Sequence, residues 1–466
     1  MIGQRQKNQQ PRQLTLPEPP STPGPGVPQA RVEPITAKTD PESQAATNRL
    51  MEEVCERKNL LKALKRVKSN RGAPGVDGMT VRELSSYLRR NWPKLREQLL
   101  TGTYEPKPVK RVEIPKPSGG MRKLGIPCAV DRFIQQAVLQ VLQDQWDGTF
   151  SAYSYGFRPG RSAHQAIAQA QQHVAEGYAY SVDLDLEKFF DRVNHDMLMA
   201  RVARRITDKR VLRLIRSFLN AGIMVDGLVS APSDEGMPQG GPLSPLLSNL
   251  FLDELDRELE RRGHRFVRYA DDCNVYVKSE RSGLRVLESI KQFLGKKLKL
   301  RVNEKKSKVS RVDQSKILGF SIGIPRNGGE PKRFISPSSL KRFRQRVRAM
   351  TRRRNGQSPG QVIGELNKYL EGWKAYYGFC QWRSDLRDLD CWIRRRLRCY
   401  IWSQWKKFSR RRKALRALGL KASEARQLAG AGRNKGPWRM SMTAALHTAL
   451  PNKFFKELGL VQLYET

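Results

Sequence analysis

The chain has 466 residues, room for about three domains of ~150 residues each and a large core. Its 87 Lys and Arg against 45 Asp and Glu leave a net charge of +42, which points to a polyanionic partner, with a solubility-driven surface or an anionic lipid face as the plainer alternatives. No apolar run of about 18 residues and no apolar core in the opening MIGQRQKNQQ exclude a membrane helix and a secretory signal, so a cytoplasmic protein is expected.

Residues 1–48 hold nine Pro, seven Gln and no aromatic residue, a composition that cannot bury enough surface to offset chain entropy, and disorder is expected there. Order should begin near Asn48, where Leu50, Val54, Leu61 and Leu64 recur at helical spacing. RGAPGVDGMTV then breaks the helix. From Arg111 to Pro127, apolar and basic residues alternate around Ser118-Gly119-Gly120, which predicts a hairpin. A helix from Val130 follows, and in YGFRPGRSAHQAI Ser162 is placed to cap another.

YSVDLDLEKFFD reads as a strand with Val182, Leu184 and Leu186 on one face and Asp183 and Asp185 on the other. The glycine-rich EGMPQGGPLSPLL enters an amphipathic helix with Ser244 as its cap, Pro245 in the first turn, and Leu247, Leu250, Phe251 and Leu255 facing inward. RYADDCNVYV predicts a hairpin and ILGFSIGI one more strand. Beyond Ser336 the strand signals stop and basic helices run to the end. The six cysteines form no C-x2-C pair and only five histidines accompany them, so buried free thiols are expected rather than a zinc site or a disulfide framework.

The adjacent aspartates of RYADDCNVYV repel each other at a hairpin tip, a cost that a bound divalent cation reverses. Asp185, at the end of its own strand, supplies a third acid, and such a set can hold two ions ~3.5 to 4 Å apart for an in-line phosphoryl displacement. Taken alone, an Asp-Asp pair also fits an ordinary turn, and Asp183 or Asp185 a solvated strand face.

The order of the surrounding blocks decides between these readings. YADD at Tyr269 to Asp272 resembles the Y-x-D-D signature of reverse transcriptases, DLEKFFD their acidic palm motif, and GMPQGGPLSPLLSN the P-Q-G block that follows. With IPKPSGGMRKLGIP, YGFRPGRSAHQAI, LRVNEKKSKV and ILGF, the sequence resembles bacterial group II intron reverse transcriptases, or maturases, over about residues 49 to 465. The resemblance implies an α+β right-hand polymerase: fingers and palm over 49–325, a helical thumb or maturase domain over 326–390, and a basic DNA-binding region over 391–466.

It also implies Asp185, Asp271 and Asp272 as ligands of Mg2+, and Phe190 as an aromatic gate beneath the incoming sugar. Lys116 and Arg122 would grip the triphosphate, Gln239 would contact the nucleotide, and Gly240 and Gly241 would let backbone approach the bases. Lys306, or its neighbour Lys305, matches the lysine proposed as general acid for the pyrophosphate leaving group. Each has a plainer reading: core packing for Phe190, exposed hairpin charge for Lys116 and Arg122, a tight loop for the P-Q-G block, solvated charge for the lysines.

Residues 332–354 carry ten Lys or Arg and no acid, and residues 391–423 twelve and none. Arg158, Arg161, Lys341, Arg344, Arg348, Arg352, Arg410 and Arg411 are therefore expected to touch nucleic acid. Trp373, Tyr376, Tyr377 and Phe379 resemble the family's thumb, and most such aromatics at helical spacing pack a core. His447 is the only histidine after residue 264 and no cysteine pair follows, so the family's His- and Cys-rich endonuclease is expected to be missing; a nascent or single-stranded DNA target would then supply the primer.

The expected function is RNA-directed DNA polymerisation, with dNTPs, an RNA template, a DNA primer, intron RNA and target DNA as partners, and with a maturase role in splicing and retrohoming. One rival is a splicing cofactor that binds RNA with an idle polymerase site. Another is a reverse transcriptase of a retron, defence or diversity-generating system, against which PQGG and GWKAYYGF speak.

Overall fold

The computed structural model describes residues 49–115, 120–225, 228–230, 234–237, 240–325, 328–353, 356–431 and 436–464. Residues 1–48, Lys116 and Gln239 lie outside this set. The strands, in chain order, are β1 (Val109–Pro115), β2 (Met121–Ile126), β3 (Tyr180–Leu184), β4 (Ile223–Val225), β5 (Leu228–Ser230), β6 (Arg265–Tyr269), β7 (Asp272–Val277), β8 (Lys308–Arg311), β9 (Phe320–Gly323) and β10 (Lys332–Ile335).

Three sheets result. The first has the order β2-β1-β4-β5, with β1 antiparallel to β2 and parallel to β4. The central sheet, β6-β7-β3-β8, is antiparallel throughout, and β9 pairs with β10 alone. Strand alternation sorts the central sheet's side chains. Val182, Leu184, Cys273 and Val275 join the main apolar core with the Ala129–Trp146 and Ser244–Arg261 helices. Tyr276 and Val267 pack on the other side against Ala166, Ala170 and Val174 of the Ala163–Ala175 helix. Asp183 and Asn274 are paired on that second side.

A second core binds the helices Pro337–Met350, Pro359–Tyr377 and Arg383–Gln404 to the short helices after them, through Phe343, Leu366, Leu397, Trp402, Leu428 and Phe455 among others. Prolines in first turns and serine caps at Ser336 and Ser358 start two of these helices.

Several sequence expectations change. The stretch after Asn48 is two helices, Leu50–Val54 and Arg57–Ser69, separated at an extended Glu56, and Leu61 is 57% exposed instead of buried. Leu243, not Ser244, precedes the Ser244–Arg261 helix as its cap, with Pro245 in the first turn as expected. Leu186 lies past the end of β3, buried through a bridge to Val302. Residue 390 falls inside the Arg383–Gln404 helix, where the Asp390 carboxylate accepts the Leu463 and Tyr464 amides at 3.0 and 2.9 Å. Five of the six thiols are buried and Cys391 is exposed, and all are free. No described helix is long and apolar enough to cross a membrane.

Candidate active site

β3 ends at Leu184 opposite Cys273, a register that carries Asp185 to the position beside Asp272. The two acids line one cavity of about 540 Å³ together with Asp183, Lys306, Lys316, Arg342 and two tyrosines of the Pro359–Tyr377 helix, Tyr376 and Tyr377. Asp271 sits in the turn between β6 and β7 and does not line that cavity. Its charge still reaches Asp272: burial first, then Asp271 and Asp185, raise the Asp272 carboxyl to about 6 against the pull of Lys316 and Lys306.

Asp185 is stitched to the Asn303–Ser307 turn. Its carbonyl accepts the Asn303 amide at 2.8 Å, and its own amide donates to Ser307 Oγ at 2.9 Å. This brings Lys306 Nζ within 3.4 Å of the Asp185 carboxylate. Asp183 is largely buried, against the plainer alternative of a solvated strand face, and accepts from Ser181 Oγ, Ser315 Oγ and Asn274 Nδ2 at 2.7, 2.7 and 2.6 Å. Those bonds hold the floor of the cavity.

Among the described residues no three His, Cys, Asp or Glu side chains already stand as a closed metal cage. The donor chemistry nonetheless suits a hard divalent cation. Asp185 and Asp272 are oxygen donors whose mutual repulsion a cation relieves, and such ions ordinarily take one or two carboxylates and complete their shell with water and substrate phosphates.

The turn carrying Asp271 and Asp272 is fastened from beneath by residues that the sequence did not single out. Ala270 is left-handed, φ +59°, and its carbonyl accepts from Arg268 Nη1 at 2.9 Å. The fully buried Arg268 also donates to both Asp256 oxygens, to Asn249 Oδ1 and to Ser154 Oγ. Asn249 in turn donates to the Gly156 carbonyl at 2.8 Å. Gly156 lies so close to the turn that a Cβ there would be 2.2 Å from the Ala270 amide nitrogen. The alternation of RFVRY was the available signal, since it leaves a charged Arg268 on the same strand face as the apolar Phe266, but a sequence does not reveal the partner.

The remaining expected residues fall into three groups. Phe190 is half-buried, its ring 5.2 Å from that of Phe189 and its carbonyl accepting the Met237 amide, and it does not line the acidic cavity. Arg122 is exposed on β2 across from Ile114. Gly240 and Gly241 approach protein: Cβ atoms there would meet the Gly125 carbonyl at 2.3 Å and Gln135 Oε1 at 2.4 Å.

Arg158 requires a correction. It is buried, paired with Asp147 at 2.9 Å and donating to the Ser151 and Ser154 carbonyls, so its guanidinium is engaged within the fold instead of standing free on the surface. Arg161 is half-buried over the Tyr155 ring and donates to the Ala152 carbonyl, and Arg411 likewise lies over Trp402 and donates to the Trp405 carbonyl. Lys341, Arg344, Arg348, Arg352 and Arg410 are exposed. Near Arg410, a recess of about 700 Å³ is lined by Arg412, Lys413, Arg416 and Arg426 with no acid among its lining residues.

Residues 114–322 match the family described as "Reverse transcriptase (RNA-dependent DNA polymerase)", and residues 340–419 match "Group II intron, maturase-specific domain". Protein YkfC of Escherichia coli is 33% identical over 356 residues, 68% of this chain and 93% of that protein. Group II intron-encoded protein LtrA of Lactococcus lactis is 29% identical over 326 residues, 56% of this chain and 54% of its own length. Among solved structures, a chain of a partial Cas6-RT-Cas1--Cas2 complex is similar over 53% of this chain and 42% of its own, with 25% identity and a TM-score of 0.35.

Proposed function

The chain belongs to the group II intron reverse transcriptase and maturase family, and from that premise we propose that its acidic cavity extends a DNA primer along an RNA template while the basic helical half holds the parent intron RNA. The family is one of RNA-directed DNA polymerases. The observation that carries the assignment to this cavity is the meeting of Asp185 with Asp272 across the β3–β7 register, in a cavity roofed by Tyr376 and Tyr377.

In this reading the primer 3′-hydroxyl attacks the α-phosphate of a dNTP and pyrophosphate leaves. Asp185 and Asp272 would hold a divalent metal, assigned here as Mg2+, with Asp271 adding negative charge at the turn, and the ion would supply neutralisation of phosphate charge and activation of the hydroxyl. Lys306, beside Asp185, is positioned to balance that charge and to give a proton to the leaving pyrophosphate. Phe190 excludes a 2′-hydroxyl, Arg122 and Lys116 hold the triphosphate, and Gln239 touches the base pair.

We assign β1, β2, β4 and β5 to the fingers, the central sheet to the palm, and the helices from Pro337 to the thumb. The exposed Lys341, Arg344, Arg348 and Arg352 then face intron RNA, and the Arg410 region faces target DNA, in support of splicing and retrohoming in the bacterial cytoplasm. A magnesium-dependent primer-extension assay on an RNA template, with Asp272→Ala alongside, tests the polymerase reading. Wild-type product with none from the variant is expected, and equal signal from both overturns it.

A further inference from the structure

Besides the acidic cavity, the described residues form a groove of about 980 Å³ between the Arg57–Ser69 helix, the Ala129–Trp146 helix and the segment from Gly240 to Leu246. Lys62, Lys65, Arg66 and Arg132 line one side, with Asp144 as the one acid among the lining residues. Lys62, Lys65 and Arg66 are exposed and carry no ion pair among the described residues. Phe157 lines the same groove.

Phe157 is unusual twice over. Its ring is 50% exposed, and its backbone is left-handed at φ +60°, a conformation that disfavours any side chain with a Cβ. Both neighbours hold it there. Gly156 is pressed against the Ala270 amide and bonded to Asn249, while Arg158 is locked into the core by Asp147 and two carbonyls. Gln143 Nε2 donates to the Phe157 carbonyl at 3.3 Å. Anchored on each side, the residue presents its ring outward.

We propose that this groove holds the unpaired template RNA ahead of the catalytic centre, with Phe157 stacking on a template base and Lys62, Lys65 and Arg66 neutralising its phosphates. Unpaired bases offer a π-face that a duplex hides, and a rigid aromatic beside flexible cations is the usual chemistry for a single strand. The location agrees, because Phe157 is one residue from the contact with Ala270, which itself precedes Asp271. The inference rests on the polymerase reading for the identity of the strand and on the groove's own geometry for its chemistry.

The test is equilibrium binding of the full chain, without nucleotide, to a blunt RNA/DNA duplex and to the same duplex bearing a 5′ unpaired RNA extension. Wild type should prefer the extended duplex. Phe157→Gly should cut that preference about fivefold or more, the scale of one base–aromatic stack, and leave blunt-duplex affinity unchanged. Because glycine suits the left-handed backbone, this variant should melt at or above the wild-type temperature, which separates stacking from a folding role. Phe157→Tyr should keep the preference, and Lys62→Gln with Lys65→Gln and Arg66→Gln should weaken it and flatten its salt dependence. Unchanged preference in Phe157→Gly, or equal losses on both duplexes, overturns the proposal. If wild type fails to extend primers while the Phe157-dependent preference persists, the polymerase reading falls and the groove remains a site for unpaired RNA; normal extension without the preference removes the groove assignment alone.

Discussion

Arg268 grips Asp256 through two bonds of 2.7 and 2.5 Å in the core and, with the same guanidinium, holds the Ala270 carbonyl at 2.9 Å. A fully buried ion pair thus fixes the backbone of the turn that carries Asp271 and Asp272. Burial, the larger effect, pushes the Asp256 carboxyl up while the guanidinium pulls it down, and the arginine of the pair keeps its proton.

Arg268→Met should cost roughly 3–5 kcal/mol, because it strands the Asp256 charge in the core. Chemical denaturation measures this, and a wild-type midpoint would refute the role. Arg268→Lys keeps a charge but not the fork. Its expected signature is a fall in kcat with template affinity kept.

Asp185→Asn and Asp272→Asn should each lower primer extension by about 10²–10³-fold or more while RNA binding by the helical half stays at wild-type strength. Retained extension in either variant would remove that residue from the chemistry. Parallel loss of RNA binding would point to a misfolded chain.

Gly156→Ala places a methyl 2.2 Å from the Ala270 amide, so the turn carrying Asp271 and Asp272 must move. A stability loss of about 1–3 kcal/mol is expected, together with a lower kcat. Gly364→Ala, exposed in the Pro359–Tyr377 helix with no atom near its added Cβ, is the contrast, and should raise the melting temperature or leave it unchanged. Thermal melting of the two variants side by side reads the difference.

Burial raises the Asp131 carboxyl to about 6, despite bonds from the Tyr104 hydroxyl at 2.7 Å and the Lys107 amide at 3.3 Å. The folded value lies above the unfolded one near ~4, so this group's contribution is complete below about pH 4 and is lost as pH rises through about 6. Relative to Asp131→Asn, wild type should therefore lose stability between pH 5 and pH 7.5. Urea midpoints at those two pH values check it, and a difference that does not change with pH would count against the buried carboxylate.

RNA affinity should fall by about 0.7 to 0.9 log units per log unit of salt for each phosphate contacted. Neutralising Lys341, Arg344, Arg348 and Arg352 to Gln should flatten that slope in a salt titration. Arg158→Gln should instead lower stability, since its guanidinium is spent on Asp147 and backbone carbonyls. An unaltered slope after the four neutralisations would place the RNA elsewhere.

Residues whose neighbours along the chain set their environment could be read without coordinates. The alternation of YSVDLDL put Val182 and Leu184 on one face and the acids on the other, Ser162 was recognisable as a cap, and YADD marked the hairpin turn. Periodicity failed where a break intervened, at Glu56, and left Leu61 exposed. Charge count gave no hint of the burial of Arg158, because a basic side chain looks the same in sequence whether it faces phosphate or a half-buried Asp147.

Local chemistry along the chain therefore determined the family and the central sheet's two faces. Only the tertiary structure decided which side chains meet. It joined Asp185 to Asp272, seated Lys316, Arg342, Tyr376 and Tyr377 around them, and set Arg268 on Asp256 beneath the turn. The physical reason is range. Strand alternation and capping act over a few neighbouring residues, whereas a buried charge finds its partner only when distant segments pack together and exclude the water that would otherwise satisfy it.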